Sequence, residues 1–320
     1  MDIAKQRLDN MVDGKLILDN LGLTSLDWMT DHPKFDQIKI VSCEYNRLTS
    51  LPEWPSVEKV SCVGNQLTSL PKWPLVVEVS CFLNHLTTLP EWPLVKKVYC
   101  DDNNLISLPK WPLVTEVSCD WNQLTSLPDW PSVEKVSCNN NNLTSLPEWP
   151  LVVEVSCDEN ELTVLPEWPS VEKVSCNRNQ LISLPKWPPL KEVLCSFNLL
   201  TSLPCWPEVK LIACQNNQLE WLPCWCSLES VNFEGNPLPY TGRVYRIKLQ
   251  ACIKLLEYLR RRAVIDKWKR FTRQSVAKKK HDLHNELKYS PDLPFIYRSS
   301  EARHWLERVI ETGWLKRYNC

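Results

Sequence analysis

Cysteine is the residue type in this sequence with the greatest capacity for chemistry. Ten of the 15 cysteines recur at a constant interval of 19 residues, from Cys43 to Cys214. A line of thiolates could bind a metal ion or form disulfides. Neighbouring strands lie about 4.8 Å apart, which is a loose spacing for a tetrahedral zinc site built from one line of residues. The interval therefore favours a column of buried free cysteines that pack as small apolar side chains.

The remaining groups that could do chemistry are weaker candidates. Cys224 and Cys226, with Cys205, could form a metal or redox site, but they fall within the same repeat frame as the column. His281 and His284 could share one face of a helix, where a solvated surface is the simpler interpretation. The sequence has no Gly-rich phosphate loop, serine elbow or spaced histidine ligands of a hydrolase. We therefore expect no catalytic residue, metal site, cofactor or small-molecule substrate, and predict that the protein is not an enzyme.

Short repeated strands are the elements that position the cysteines. One unit, residues 57–75, has the pattern V-x-x-V-x-C-x-x-N-x-L-x-x-L-P-x-W-P-x. Val60 and Cys62 are two residues apart, so they point to one face of a strand, and Ser61 points to the other. One unit cannot bury its apolar residues alone, but stacked neighbours can. The asparagine is expected to satisfy backbone groups where the chain leaves the strand.

The pattern predicts a solenoid fold with short parallel strands on the concave face. The two prolines of each unit exclude a helix on the return path and favour an extended, polyproline-like convex side. We divide the chain into an N-terminal helical cap (residues 1–15), a solenoid of about 12 repeats (residues 16–239) and a basic helical C-terminal cap and tail (residues 240–320). The cap is expected to contain a helix from Asp2 to Met11.

Charge is distributed unevenly between these segments. Up to Pro239 the chain carries 17 Lys and Arg against 30 Asp and Glu, a net charge of −13. From Tyr240 onward there are 20 against 8, a net charge of +12. This asymmetry indicates an anionic partner for the tail, or docking of the tail on the acidic body. No stretch has the features of a signal peptide or a membrane span, so we expect a soluble, intracellular protein.

Outward-facing strand positions form columns across the predicted sheet. The position three residues before the column cysteines alternates in charge through eight repeats. A solubilising charge ladder between strands explains this alternation more simply than a ligand site does. The alternating residues are Lys59, Glu78, Lys97, Glu116, Lys135, Glu154, Lys173 and Glu192.

The two positions after each column cysteine vary most between repeats. Aromatic residues rimmed by carboxylates on adjacent units suit a basic peptide or protein surface. Variation without consequence on a solvated face is the alternative. The candidate binding residues of this concave face are Phe82, Leu83, Tyr99, Asp101, Asp102, Asp120 and Trp121.

The basic tail offers a second candidate binding segment. A basic helix carrying two aromatic residues one turn apart can dock on nucleic acid, on an anionic membrane or in a calmodulin-like groove. A solvated helix that pairs with the acidic body is the alternative. The candidate residues are Arg260, Arg261, Arg262, Lys267, Trp268, Lys269, Arg270, Phe271, Lys278, Lys279 and Lys280.

The repeat pattern resembles that of a known protein class. The frame L-x-x-L-P-x-W-P-x-V-x-x-V-x-C-x-x-N-x-L is similar to the short, helix-free leucine-rich repeats of secreted bacterial effectors. Its Trp and Cys variants, with KKKHDLHNELKYSPDLPF at residues 278–295, resemble leucine-rich-repeat proteins encoded by giant DNA viruses of amoebae. This resemblance implies a protein–protein interaction scaffold without defined chemistry, acting on host proteins in the host cytoplasm if the protein is viral.

Some bacterial members of this class carry a ubiquitin-ligase domain whose catalytic cysteine lies in a Cys-x-Asp context. Cys252 and Cys320 lack that context, and the tail is short for such a domain. The leading functional hypothesis is therefore binding of a protein partner on the concave face. The alternative is binding of nucleic acid, anionic membrane or a calmodulin-like partner through the tail.

Overall fold

The structure, a computed structural model, describes residues 2–223, 225 and 227–238. Within them, twelve short strands form one parallel sheet whose spatial order is the chain order. Each strand is three residues long and its middle residue points into the core. The strands are β1 Lys15–Ile17, β2 Ile40–Ser42, β3 Lys59–Ser61, β4 Glu78–Ser80, β5 Lys97–Tyr99, β6 Glu116–Ser118, β7 Lys135–Ser137, β8 Glu154–Ser156, β9 Lys173–Ser175, β10 Glu192–Leu194, β11 Leu211–Ala213 and β12 Ser230–Asn232.

The strand register places identical repeat positions side by side. Val60 of β3 is opposite Val79 of β4, and Ser61 is opposite Ser80. This register follows from the constant 19-residue unit. Because no unit in this part of the chain has an insertion, each turn of the solenoid places a repeat position beside the same position of the preceding turn. Repeat positions therefore become straight columns, and the predicted parallel-strand solenoid is confirmed.

The convex side is extended, as predicted from the prolines. No helix occurs among the described residues between β2 and β12. Ten buried tryptophans, one per unit from Trp54 to Trp225, stack along this side with ring centroids 5.8–6.5 Å apart. From the second member onward, each indole Nε1 donates to a proline carbonyl of the preceding unit, as Trp73 does to Pro52 at 3.0 Å. These residues are the Trp column.

The solenoid is curved because its strands are spaced more closely than its tryptophan rings. Strands in a sheet lie about 4.8 Å apart, whereas the indole rings opposite them are 5.8–6.5 Å apart. Each unit is therefore wider on the tryptophan side than on the strand side. This taper places the sheet on the concave face, as the sequence predicts.

An N-terminal cap covers the first strand. Helix α1 spans Asp2–Asp9 and buries Ala4 and Leu8, so it ends two residues before the predicted end at Met11. The chain then reverses through Gly14 at φ 69°, where an added Cβ would lie 2.5 Å from the carbonyl oxygen of Gln37. Two 3-10 helices between β1 and β2, which the sequence analysis did not predict, span Asp27–Met29 and Phe35–Gln37.

Predictions for the C-terminal cap and tail, including all the basic candidate residues from Arg260 to Lys280, lie outside the described residues. Among the helices in the described part of the chain, none has the length and apolar character needed to cross a membrane.

Candidate functional site

The column cysteines are chemically passive. All ten, from Cys43 to Cys214, are fully buried free thiols. Burial raises the pKa of each of them, to about 12 for Cys214, so the thiol form is favoured at neutral pH. A protonated, inaccessible thiol is neither a nucleophile nor a metal ligand. Within the described ranges, no three His, Cys, Asp or Glu side chains cluster as a metal site would require.

Alkylation tests this passivity directly. With iodoacetamide at pH 8, we expect none of the ten column cysteines to be modified in the folded protein and all ten in denaturant, because the raised pKa and the burial act together. Peptide mass spectrometry after trypsin identifies the modified positions. A Ser126→Cys variant, which places a thiol at an exposed position, is the positive control. Modification of a column cysteine under native conditions would contradict this account.

The other cysteine candidates are only partly placed. Cys205 is disulfide-bonded, unlike the column cysteines, and lies next to Trp206 of the Trp column. Cys224 and Cys226 lie outside the described residues.

An asparagine ladder turns the chain out of each strand. It comprises the asparagines three positions after the column cysteines, all of them buried. Asn141 donates through Nδ2 to the carbonyls of Cys119, Cys138 and Asn139 at 3.0–3.2 Å. Its Oδ1 accepts from the backbone N–H of Leu124 at 3.0 Å. One side chain thus hydrogen-bonds four backbone groups, with the two amide hydrogens shared among three carbonyls, and ties neighbouring units together.

A second ladder runs through the position directly after the column cysteines, across units whose residue there is Asp or Asn. Asp101 accepts hydrogen bonds from the Ser118 hydroxyl at 2.6 Å and from the Asp120 backbone N–H at 2.8 Å. Asp120 does the same with Ser137 and Asn139. Burial raises the pKa of Asp101 despite these bonds. The carboxylates of Asp101 and Asp120, both among the predicted binding residues, are therefore engaged in joining repeats.

The predicted charge ladder separates into pairs. Lys59 Nζ lies 2.9 Å from a Glu78 carboxylate oxygen, and Lys97 Nζ lies 2.9 Å from one of Glu116. Burial raises the pKa of the neighbouring Tyr99 phenol, and the charge of Glu116 adds to the rise. These pairs are substantially exposed, so each contributes little to stability. Most of the concave sheet face is thus occupied by polar side chains that already have partners.

Beyond the sheet face, an unusual backbone occurs two positions after each column cysteine and at Gly235, two positions after Phe233, which replaces the cysteine in the last unit. These residues form what we call the edge row. Each has a left-handed backbone, with φ of 51–58° at the non-glycine members and 64–73° at the two glycines. The edge row comprises Tyr45, Gly64, Leu83, Asp102, Trp121, Asn140, Glu159, Arg178, Phe197, Asn216 and Gly235.

Four members of the edge row are apolar and exposed. Their exposed fractions are 52% for Tyr45, 46% for Leu83, 59% for Trp121 and 51% for Phe197. A left-handed backbone costs a bulky residue about 1 kcal/mol or more, whereas glycine and asparagine tolerate it. The left-handed backbone at these residues therefore costs stability, and their half-exposed side chains bury too little apolar surface to offset the cost. Such placement is typical of residues that serve recognition.

An open groove of about 400 Å³ lies beside Trp121. It crosses four units and is lined by Asn84, His85, Asp102, Asn103, Asn104, Trp121, Asn122, Gln123 and Asn140. The buried asparagines form its floor and already hold backbone groups. The exposed side chains of His85, Asn104 and Gln123 line it in a row of their own. The groove therefore combines an aromatic wall with unused hydrogen-bonding groups.

The structure separates the predicted concave residues into three sets. Leu83, Asp102 and Trp121 lie together on the edge row and are exposed. Phe82 and Tyr99 are half-buried on the sheet face. Asp101 and Asp120 belong to the second ladder.

Sequence reasoning missed Tyr45 and Phe197 as part of the same surface. Glycine and asparagine at other members of the row were the available signal for a left-handed position.

Solved structures share this fold. YopM, a leucine-rich effector protein from Yersinia pestis, matches with 29% identity and a TM-score of 0.60, over 73% of this chain and 65% of YopM. The chain thus spans slightly less than two thirds of YopM. The leucine-rich-repeat domain of APL1B matches with 16% identity and a TM-score of 0.57, over 73% of this chain and 84% of that one.

The LRIM1/APL1C complex matches with 15% identity and a TM-score of 0.58, over 94% of this chain and 76% of that one. No protein-family model and no curated protein matches the sequence. The fold is therefore that of the leucine-rich-repeat solenoids.

Proposed function

We propose that this leucine-rich-repeat solenoid is a non-enzymatic scaffold that binds a protein partner along its concave side. The observation that carries the proposal is the set of half-exposed apolar side chains on strained backbone in the edge row. Phe82 and Tyr99, on the adjacent sheet face, extend this apolar surface. Large rigid aromatic residues commonly supply most of the binding energy in protein interfaces.

We further propose that the partners are host proteins and that the protein acts inside the host cell. The likeness to YopM, an effector, supports this, as does the resemblance of the Trp and Cys repeat variants to giant-virus proteins.

A pull-down from host lysate tests the proposal. The chain with Phe82, Tyr99 and Trp121 all replaced by alanine is expected to lose the specific partners that the wild-type chain captures, because three anchors are removed from one surface. A variant with Ile106, Val164 and Ile182 replaced by alanine is the matched control, since these apolar residues are exposed elsewhere on the solenoid. Quantitative mass spectrometry compares the captured sets.

The same experiment separates the competing hypothesis, in which residues 240–320 bind nucleic acid or an anionic membrane. That hypothesis predicts that capture survives the triple substitution but falls steeply with added salt or nuclease treatment. An unchanged set of captured proteins in the triple variant would remove the concave surface from consideration.

A further inference from the structure

The edge row alternates between two kinds of residue. Counting from Tyr45, the odd-numbered members are mostly large and apolar, and none of the even-numbered members is apolar. Four of the five even members are glycine, asparagine or aspartate, which a left-handed backbone accepts. The odd members are Tyr45, Leu83, Trp121, Glu159, Phe197 and Gly235, and the even ones are Gly64, Asp102, Asn140, Arg178 and Asn216.

The alternation separates the large apolar members of the row by smaller or polar residues. We call these apolar members, Tyr45, Leu83, Trp121 and Phe197, the pegs. The aromatic ring of Tyr45 lies over Gly64, where an added Cβ would be 2.7 Å from Tyr45 Cδ1. Tyr45 therefore has room to spread over the smaller residue beside it. Farther along the row, Arg178 bridges Glu159 at 3.0 Å and stacks over Phe197 at 5.5 Å.

The spacing of the pegs follows from the sheet. Backbone hydrogen bonding continues through the row, since Leu83 N–H donates to the Asp101 carbonyl at 3.1 Å and Trp121 N–H to that of Asn139 at 2.9 Å. Neighbouring units are thus one strand apart, and successive pegs are about 9.6 Å apart. A polyproline II helix repeats every three residues and about 9.3 Å, with the same face presented each time.

Other extended or helical ligands fit the pegs less well. A β-strand presents one face every second residue, at about 6.6 Å or 13 Å. Residues seven apart on an α-helix share a face but are about 10.5 Å apart. The distance from Tyr45 to Phe197 is eight strand steps, or about 38 Å. Four turns of a polyproline II helix are about 1 Å shorter than this distance. Four intervals of seven residues in an α-helix are about 4 Å longer than the same distance.

The side chains next to the pegs suit the same ligand. A polyproline II segment makes no internal hydrogen bonds, so its carbonyls need donors. His85, Asn104 and Gln123 supply side-chain donors along the groove beside Trp121. The exposed carboxylate of Asp102 and the net charge of −13 up to Pro239 favour positive residues in the ligand.

We propose that the edge row binds a basic, proline-rich segment of a partner protein in the polyproline II conformation. Every third side chain of that segment is apolar and contacts Tyr45, Leu83 and Trp121 in turn. Its carbonyls accept hydrogen bonds from the groove side chains. This inference rests on the proposed function and specifies the chemistry of its partner.

Peptide binding to the full-length chain tests the inference. The probe is a fluorescein-labelled peptide of five Leu-Pro-Lys units, about 46 Å long as a polyproline II helix, measured by fluorescence anisotropy in 150 mM NaCl. We expect binding to weaken at least 10-fold in the double variant Leu83→Asn, Trp121→Asn. Asparagine accepts the left-handed backbone, so this variant stays folded. Asn216→Gly, at an exposed even-numbered position of the edge row outside the groove, is the matched control and should bind as wild type does.

Two comparison peptides identify the other outcomes. Equal binding of a scrambled peptide of the same composition would reduce the interaction to charge and overturn the inference. Stronger binding of a basic helical peptide with leucine every seventh residue would overturn it in favour of a helix. Absence of binding by the Leu-Pro-Lys peptide would overturn it as well. If capture in the lysate experiment still depends on Phe82, Tyr99 and Trp121, the proposed function stands although the polyproline ligand does not.

Discussion

Replacing Trp130 with alanine is expected to lower the free energy of unfolding by about 3–5 kcal/mol, the usual cost of truncating a fully buried tryptophan. Its indole stacks between those of Trp111 and Trp149, with centroids 6.0 Å away on both sides. Its Nε1 donates to the Pro109 carbonyl at 3.1 Å. The substitution leaves a cavity and an unpaired carbonyl in the middle of an array in which each unit contacts only its neighbours. Urea unfolding followed by circular dichroism measures the loss.

The matched control for this prediction is a tryptophan at the surface. Trp121 is 59% exposed, so Trp121→Ala should change the free energy of unfolding by no more than about 0.5 kcal/mol. Comparable losses at Trp130 and Trp121 would contradict the assignment of one to the core and the other to recognition.

Replacing Asn141 with alanine is expected to lower the free energy of unfolding by about 1–3 kcal/mol, the usual cost of leaving one buried backbone group without a partner. The substitution removes the acceptor of the Leu124 N–H. The three carbonyls that Asn141 also bonds each keep a second donor, so they stay paired. Little of this cost comes from lost apolar packing, whereas the cost of Trp130→Ala comes mostly from lost packing. Thermal and urea unfolding measure the change.

The adjacent residue provides the control for the asparagine ladder. Asn142 is exposed, and Asn142→Ala should shift the free energy of unfolding by no more than about 0.5 kcal/mol. A neutral Asn141→Ala would show that the ladder does not hold the units together.

The solenoid was predictable because one 19-residue period fixes several residue types at once. Val60 and Cys62 indicate a strand face, and the prolines of each unit exclude a helix on the return path. The charge alternation at Lys59 and Glu78 predicted a contact between neighbouring strands, and the 2.9 Å pair confirms it. In each case the spacing alone determines which residues meet, because every unit repeats the same path.

The candidate site was less predictable, because side-chain exposure depends on backbone dihedrals that the spacing does not specify. Asp101 and Trp121 both occupy variable positions near a column cysteine, yet one bonds to the next unit and the other projects outward. The difference arises from a left-handed backbone at the second position. The 3-10 helices between β1 and β2 lie where the repeat is irregular, so the period gave no information about them.

The central claim is that the regular columns hold the fold while the large apolar members of the edge row serve recognition. The most direct test is the free energy of unfolding of the Leu83→Asn, Trp121→Asn variant, measured by urea titration. Our account predicts a value equal to that of the wild type or higher, because asparagine relieves backbone strain at two exposed positions. A loss of more than about 1 kcal/mol, well beyond the usual effect of a surface substitution, would place these residues in the scaffold and contradict it.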